Sequence, residues 1–186
     1  MTKRSQKTKD SLRRALLELL VQKDIAEITV TELCLHANIH RKTFYSYYHN
    51  TMDILDELFQ ELISDISAIH VELLLGNFKN FEVFFQYVDN FILKNIEYCQ
   101  LLSKTTQYII FINKVDDYFS KTLLEKFDKD FKLFSSVNKY TIYFLVSGIA
   151  NLYMRWIKDS NQCPISYISS TCAVMCNKLL SLKGTN

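Results

Sequence analysis

The stretch Thr29 to Tyr48, TVTELCLHANIHRKTFYSYY, constrains this chain most, because its residue types specify two short helices, the turn between them and the sides that face inward. Thr29 and Glu32 have the spacing of a capping box, in which the threonine hydroxyl accepts from the glutamate amide and the glutamate reaches back. Ile28 and Leu33 stand where a hydrophobic staple would clamp the same entry. Leu33, Cys34 and Ala37 then form an inward face of small and medium side chains. Asn38 tolerates the left-handed conformation needed to end that helix and reverse the chain. A second helix is expected from about Arg41, with His40 in the capping position, to about Tyr47. Phe44 and Tyr48, four apart, pack inward and leave His40, Arg41, Lys42, Thr43, Tyr45 and Tyr47 outward or to the sides.

That outward set is rich in donors. No acidic residue occurs between Glu32 and Asp53, as a surface lying against phosphates and base edges requires. Arginine and lysine can donate to guanine in the major groove, and threonine and tyrosine hydroxyls can hold phosphates. The plainer reading is a helical hairpin with a basic face. The residues alone leave both open; the net charge of +2 divides into +4 over residues 1–50 (nine Lys/Arg, five Asp/Glu) and −2 over 51–186 (thirteen against fifteen). The basic excess thus lies where the candidate element lies.

ALLELL at 15–20, ITVTEL at 28–33, HANIHRKTFYSYY at 36–48 and the N-x-x-D-I-L run at 50–55 together resemble the N-terminal domain of the TetR/AcrR family of bacterial transcriptional regulators. The resemblance covers roughly the first third of the chain. It implies a three-helix helix-turn-helix DNA-binding domain over 1–50, a long connecting helix over 51–75, and a C-terminal ligand-binding and dimerisation domain over 76–186. The DNA-contact candidates are Thr29, Thr31, His40, Arg41, Lys42, Thr43, Tyr45, Tyr47 and Thr51. Two departures matter. Asn38 replaces the usual turn glycine, and Thr51 stands where many members place a lysine, which weakens one expected phosphate contact. The C-terminal region is weakly similar to regulators of dihydroxyacetone kinase operons.

With only Gly 3 and Pro 1 in 186 residues, a sheet protein with many hairpins is excluded and an all-α fold is expected. Residues 1–7 read as a polar, basic tail, with Lys3, Arg4 and Lys7 able to brush a phosphate backbone. Helix one follows from about Thr8 to Gln22, with Leu12, Ala15, Leu16, Leu19 and Leu20 as its apolar stripe and Arg13 and Arg14 on the flanks. Asn50 caps the next helix, with Asp53 in its first turn; Ile54, Leu55, Leu58, Leu62, Ile66 and Ile69 keep a helical rhythm to about Leu75, where Gly76 and Asn77 stop it. The charged N-terminus and the lack of a span of roughly 20 apolar residues predict a cytoplasmic protein with no membrane partner. Cysteines 34, 99, 163, 172 and 176 show neither C-x-x-C pairs nor histidine companions. Cys172 and Cys176 read more simply as buried apolar residues than as metal or redox groups, and no metal or cofactor is expected.

From Phe78 the composition changes: 19 of the 25 aromatic residues fall between Phe78 and Trp156. Helices are expected at about 79–99, 105–128, 137–158 and 164–183, with Pro164 early in the last. Such a bundle can enclose an apolar pocket, for which Phe84, Phe85, Tyr108, Phe111, Tyr143 and Trp156 are the lining candidates, although an aromatic stripe is more often plain core. In the last helix Ile165, Ile168, Cys172, Met175, Leu179 and Leu182 alternate steps of three and four, the seam of a packed helix pair. With 139–157 it would form a four-helix homodimer interface, the arrangement the resemblance implies. Packing within one subunit is the alternative.

No glycine-rich phosphate loop, H-E-x-x-H or nucleophile–base spacing is present, so an enzyme is not expected. The expectation is an all-α, homodimeric regulator that binds a palindromic double-stranded DNA operator and, as a repressor, is released by a small-molecule effector. The alternative is an adaptor or co-regulator whose C-terminal domain binds a protein partner.

Overall fold

Residues 3–76, 81–129, 139–160 and 162–180 are described by a computed structural model, with the backbone alone at 3, 68–76 and 126–129. Among these residues the helices run, in order, α1 Lys3–Leu20, α2 Val30–His36, α3 Arg41–Tyr45, α4 Thr51–Gly76, α5 Phe81–Lys94, α6 Ile96–Ser103, α7 Gln107–Lys129, α8 Lys139–Lys158 and α9 Ile165–Leu180. A single 3-10 turn, Ile25–Glu27, precedes α2, and no strand occurs among the described residues. The all-α expectation therefore holds.

Two expected boundaries move. The basic segment read as a tail is the first turn of α1, which begins at Lys3 instead of Thr8. Thr8 Oγ1 donates to the Arg4 carbonyl (3.1 Å), Ser11 Oγ to the Lys7 carbonyl (2.9 Å) and Gln6 Nε2 to Asp10 (3.1 Å), so contacts four residues apart knit this segment into the helix. The helix expected over 79–99 is two helices broken at Asn95. There the amide is shared between the Phe91 and Ile92 carbonyls (both 3.1 Å) and the side chain donates to Phe91 O (2.9 Å), the local competition for which asparagine is disfavoured within helices.

The chain divides into two compact units. The first holds the chain as far as Ser64 together with Glu97–Ile109; the second holds Asp65–Ile96 and the chain from Ile110 onward. In the first, the α1 stripe is buried as its spacing predicts, with Leu17 added to it, and Leu33, Phe44, Ile54, Leu55 and Leu58 complete the core. Of the remaining α4 set Leu62 is buried and Ile66 half-buried, while the Ile69 side chain lies outside the described residues. In the second unit α9 packs on both α5 and α8. Phe85 stacks on Tyr153 (centroids 6.4 Å apart) and Phe84 meets Phe119 edge-on (6.2 Å), so large rings fill much of its interior.

Candidate functional site

Local hydrogen bonds place the reading element. Thr29 Oγ1 accepts from the Glu32 amide at 3.2 Å and so caps α2. The Glu32 carboxylate pairs with Lys23, so its ion pair lies outside the capping box. Asn38 has φ 53, the left-handed turn expected of it, and its carbon framework needs no glycine there. His40 occupies the N-cap of α3 without a side-chain cap bond. Phe44 is fully buried and Tyr48 nearly so, four residues apart as the spacing required.

What stays outside is the donor set. Thr29, Thr31, His40, Arg41, Lys42 and Tyr45 are exposed, and Thr43 and Tyr47 are half-buried. The Arg41 guanidinium lies 5.9 Å from the Tyr45 ring centroid, a cation–π pair on the surface of α3. Thr51 departs from the rest: it is 8% exposed, at the first residue of α4. The start of that helix is held by a reciprocal cap instead. Asn50 Oδ1 accepts from the Asp53 amide (3.1 Å), and Asp53 Oδ2 accepts from the His49 and Asn50 amides (2.7 and 3.3 Å). Arg4 and Lys7, expected on a tail, are exposed along the first turns of α1, and the Lys3 side chain lies outside the described residues.

Beneath α3 is a polar cluster that sequence reasoning missed. Arg13, expected on a flank, is 3% exposed, and its Nη2 meets Glu57 at 2.9 Å and Glu61 at 2.6 Å. Lys9 and the Tyr48 hydroxyl also bind Glu57. Burial pushes the Glu57 carboxyl up, but the hydrogen bonds from Lys9, Tyr48 and Arg13 outweigh it and hold it below the usual carboxylate range. A signal was present: bases four apart on α1 (Lys9, Arg13) face acids four apart on α4 (Glu57, Glu61). Against α6 a polar cleft of about 170 Å³ is lined by Lys7, Asp10, Ser11, Arg14, Glu97, Tyr98 and Leu101, with Arg14 and Glu97 3.0 Å apart. None of the six pocket candidates from the sequence lines it.

The six pocket candidates fall in both units. Tyr108 belongs to the first unit, and Phe84, Phe85, Phe111, Tyr143 and Trp156 to the second. Phe85, Phe111 and Trp156 are buried, with Trp156 Nε1 donating to the Cys163 carbonyl (2.8 Å); Phe84 is half-buried, and Tyr143 is exposed beside Tyr140 (6.4 Å). The buried polar centre of this unit is instead Asp89, which accepts from the Tyr153 hydroxyl at 2.9 Å. Burial holds its carboxyl above the ordinary value, against the hydrogen bonds from Ser169 and Tyr153.

The α9 seam is mostly internal. Cys172 is 0% exposed and Ile165 buried, Ile168 and Leu179 are half-buried, Met175 is exposed, and Leu182 lies outside the described residues. Within the chain α9 packs on α5 and α8 and Cys172 is fully covered, while Met175 of the same seam stays exposed. The exposed apolar side chains here include Tyr140, Tyr143 and Phe144 (70%) on α8 and Tyr167 (68%), Val174 and Met175 on α9. Burial pushes the Cys172 and Cys176 thiols up to about 12, so neither is a thiolate at neutral pH. Among the described residues no group of three or more His, Cys, Asp or Glu side chains is placed to hold a metal ion, and no helix is long and apolar enough to cross a membrane.

No protein-family model matches the chain. A stretch of 61 residues, 32% of the chain, is 34% identical to the uncharacterized HTH-type transcriptional regulator YxbF of Bacillus subtilis (strain 168), and the match spans 16% of that relative's length. Among solved structures, a protein assigned to the TetR family of transcriptional regulators from Syntrophomonas wolfei str. Goettingen superposes with a TM-score of 0.72 at 14% identity, covering 97% of this chain and 99% of that one. The fatty acid degradation regulator FadR from Bacillus halodurans gives 0.62 at 13% identity, with 95% and 96% covered. The dihydroxyacetone kinase operon activator DhaS gives 0.53 at 17%, with 94% of each chain covered. At these identities the likeness is one of fold.

Proposed function

We propose that this chain, which has the fold of TetR-family transcriptional regulators, acts as a dimer that reads a palindromic DNA operator with α3 and releases it, as a repressor, when a small molecule binds the C-terminal unit. The observation that carries the reading is the exposed row His40, Arg41, Lys42 and Tyr45, in a stretch without a carboxylate, at the start and along the outer side of a short helix. Dimerisation is supported by the exposed Tyr140, Phe144, Tyr167 and Val174 on α8 and α9. Two copies would set two reading helices about 34–36 Å apart, one turn of duplex. Effector control is supported by α4, one continuous helix that gives residues to both units. A ligand can shift DNA affinity by no more than its preference for one conformer.

The test is selection of bound sequences from a random duplex pool at two salt concentrations. A palindromic site whose affinity falls steeply as salt rises is expected. Arg41→Ala combined with Lys42→Ala should weaken that site roughly hundredfold or more, since each base contact contributes about 1–3 kcal/mol. Unchanged binding by this variant would remove α3 from the site. A second reading, an adaptor that binds a protein through the C-terminal unit, is favoured by the exposed Tyr87 and Leu93 on α5 and Ile110 on α7. Failure to select any sequence without a partner protein would support it.

A further inference from the structure

Building on α3 as the DNA-reading helix, we propose that Glu57 is a positioning residue that sets how the recognition segment sits on α4, because its carboxylate receives Tyr48 from that segment and Lys9 and Arg13 from α1.

The reading helix is short. Arg41–Tyr45 spans little more than one turn, extended by the Ser46 amide bonding back to the Thr43 carbonyl (3.2 Å) and the Tyr47 and Tyr48 amides to the Phe44 carbonyl (2.9 and 3.0 Å). A helix of that length cannot define its own axis; its ends must be held by what lies beneath. The front is held by the turn at Asn38 and by Phe44 in the core. The back is held through Tyr48, whose ring lies 5.9 Å from that of Phe44, 5.4 Å beneath the Lys9 ammonium, and whose hydroxyl donates to Glu57 Oε2. Glu57 Oε2 also takes Arg13 Nη2, and Oε1 takes Lys9. Three donors from two elements leave the carboxylate one orientation, and charge-assisted bonds are the stronger kind.

The arrangement separates a positioning role from a merely structural one. In Glu57→Gln the buried Arg13 keeps Glu61 (2.6 Å) and Asp10 (3.8 Å), and Lys9, which loses its carboxylate, retains the glutamine amide oxygen as an acceptor, so the unit is expected to stay folded. Removing a negative charge from the basic unit should by itself strengthen generic DNA binding. A loosened reading helix has the opposite sign for the operator alone.

The experiment compares the full chain with Glu57→Gln, Tyr48→Phe and the double variant, using the selected operator and an unrelated duplex. Each single variant should lose about tenfold in operator affinity, about 1.4 kcal/mol, with binding to the unrelated duplex equal or tighter. The double variant should lose no more than either single one, since both break the same link. In DNA-free protein, amide exchange should quicken at 41–48 in Glu57→Gln while α1 is unchanged. Unchanged exchange there, or equal losses on both duplexes in step with a lowered melting temperature, would overturn the positioning role. If the wild type selects no operator, the DNA reading fails, and the exchange result still decides whether Glu57 holds the segment.

Discussion

The two units are held together by different means. In the first, single polar contacts fix single angles: Thr29 caps α2, Asn38 turns the chain, Asn50 and Asp53 cap α4, and Glu57 gathers three donors. In the second, rings of similar size fill space, Phe85 against Tyr153 and Phe84 against Phe119, around one buried carboxyl, Asp89. Directional contacts suit a surface that must match a rigid target such as a duplex. Packed volume, which tolerates rearrangement at modest cost, suits a body that must accommodate a guest.

Core truncation is the strongest way to break that comparison. Phe44→Ala should cost about 3–5 kcal/mol, the range for emptying a buried aromatic site. Trp156, the sole tryptophan, lies in the second unit, so its fluorescence should report a later denaturant transition than far-ultraviolet dichroism, which loses α1 to α4 first. A single coincident transition at both probes would show that the units do not differ in this way.

Acidification sharpens it with a smaller effect. Glu57 sits below its ordinary value of 4.5, so its contribution is present above that pH and is lost as the pH falls through the lowered folded value. Asp89 sits above its ordinary value of 3.8, so the folded state holds that proton more tightly and loses stability as the pH rises from 3.8 through the raised value. Lowering the pH from 7 should therefore first stabilise the second unit, seen by Trp156, and only below 4.5 destabilise the first, seen by amide exchange in α1 and α4. Asp89→Asn should flatten the first slope and Glu57→Gln the second. The smallest effect is at the turn: Asn38→Ala should cost about 1 kcal/mol and Asn38→Gly no more than about 0.5, read by thermal melting.

Legibility in the sequence follows the same division. Thr29, Asn38, Phe44, Asn50 and Asp53 each act through neighbours within four residues, so spacing alone located α2, the turn, α3 and the start of α4. The donor row could be read because it is a set of residue types on one short helix. Arg13 escaped because a cation beside an apolar stripe normally faces water, and only the distant Glu57 and Glu61 make its burial tolerable. The break at Asn95 escaped because one asparagine among strong apolar periodicity does not outweigh it. The three-and-four rhythm of α9 marks a packing face without saying whether the same chain or another covers it; within the chain α9 packs on α5 and α8.

The cap of α4 carries a consequence for how such a protein would find its target. The Asp53 carboxylate takes the His49 and Asn50 amides, and Thr51, where the resemblance implied a lysine, is buried. The entry to α4 thereby already carries the chain's own anion, which opposes a second one there. For a regulator of the proposed kind, this would lower its hold on the many irrelevant sites that compete for it. Occupancy in a genome depends on the ratio of target to background binding, so a modest absolute affinity is compatible with efficient search.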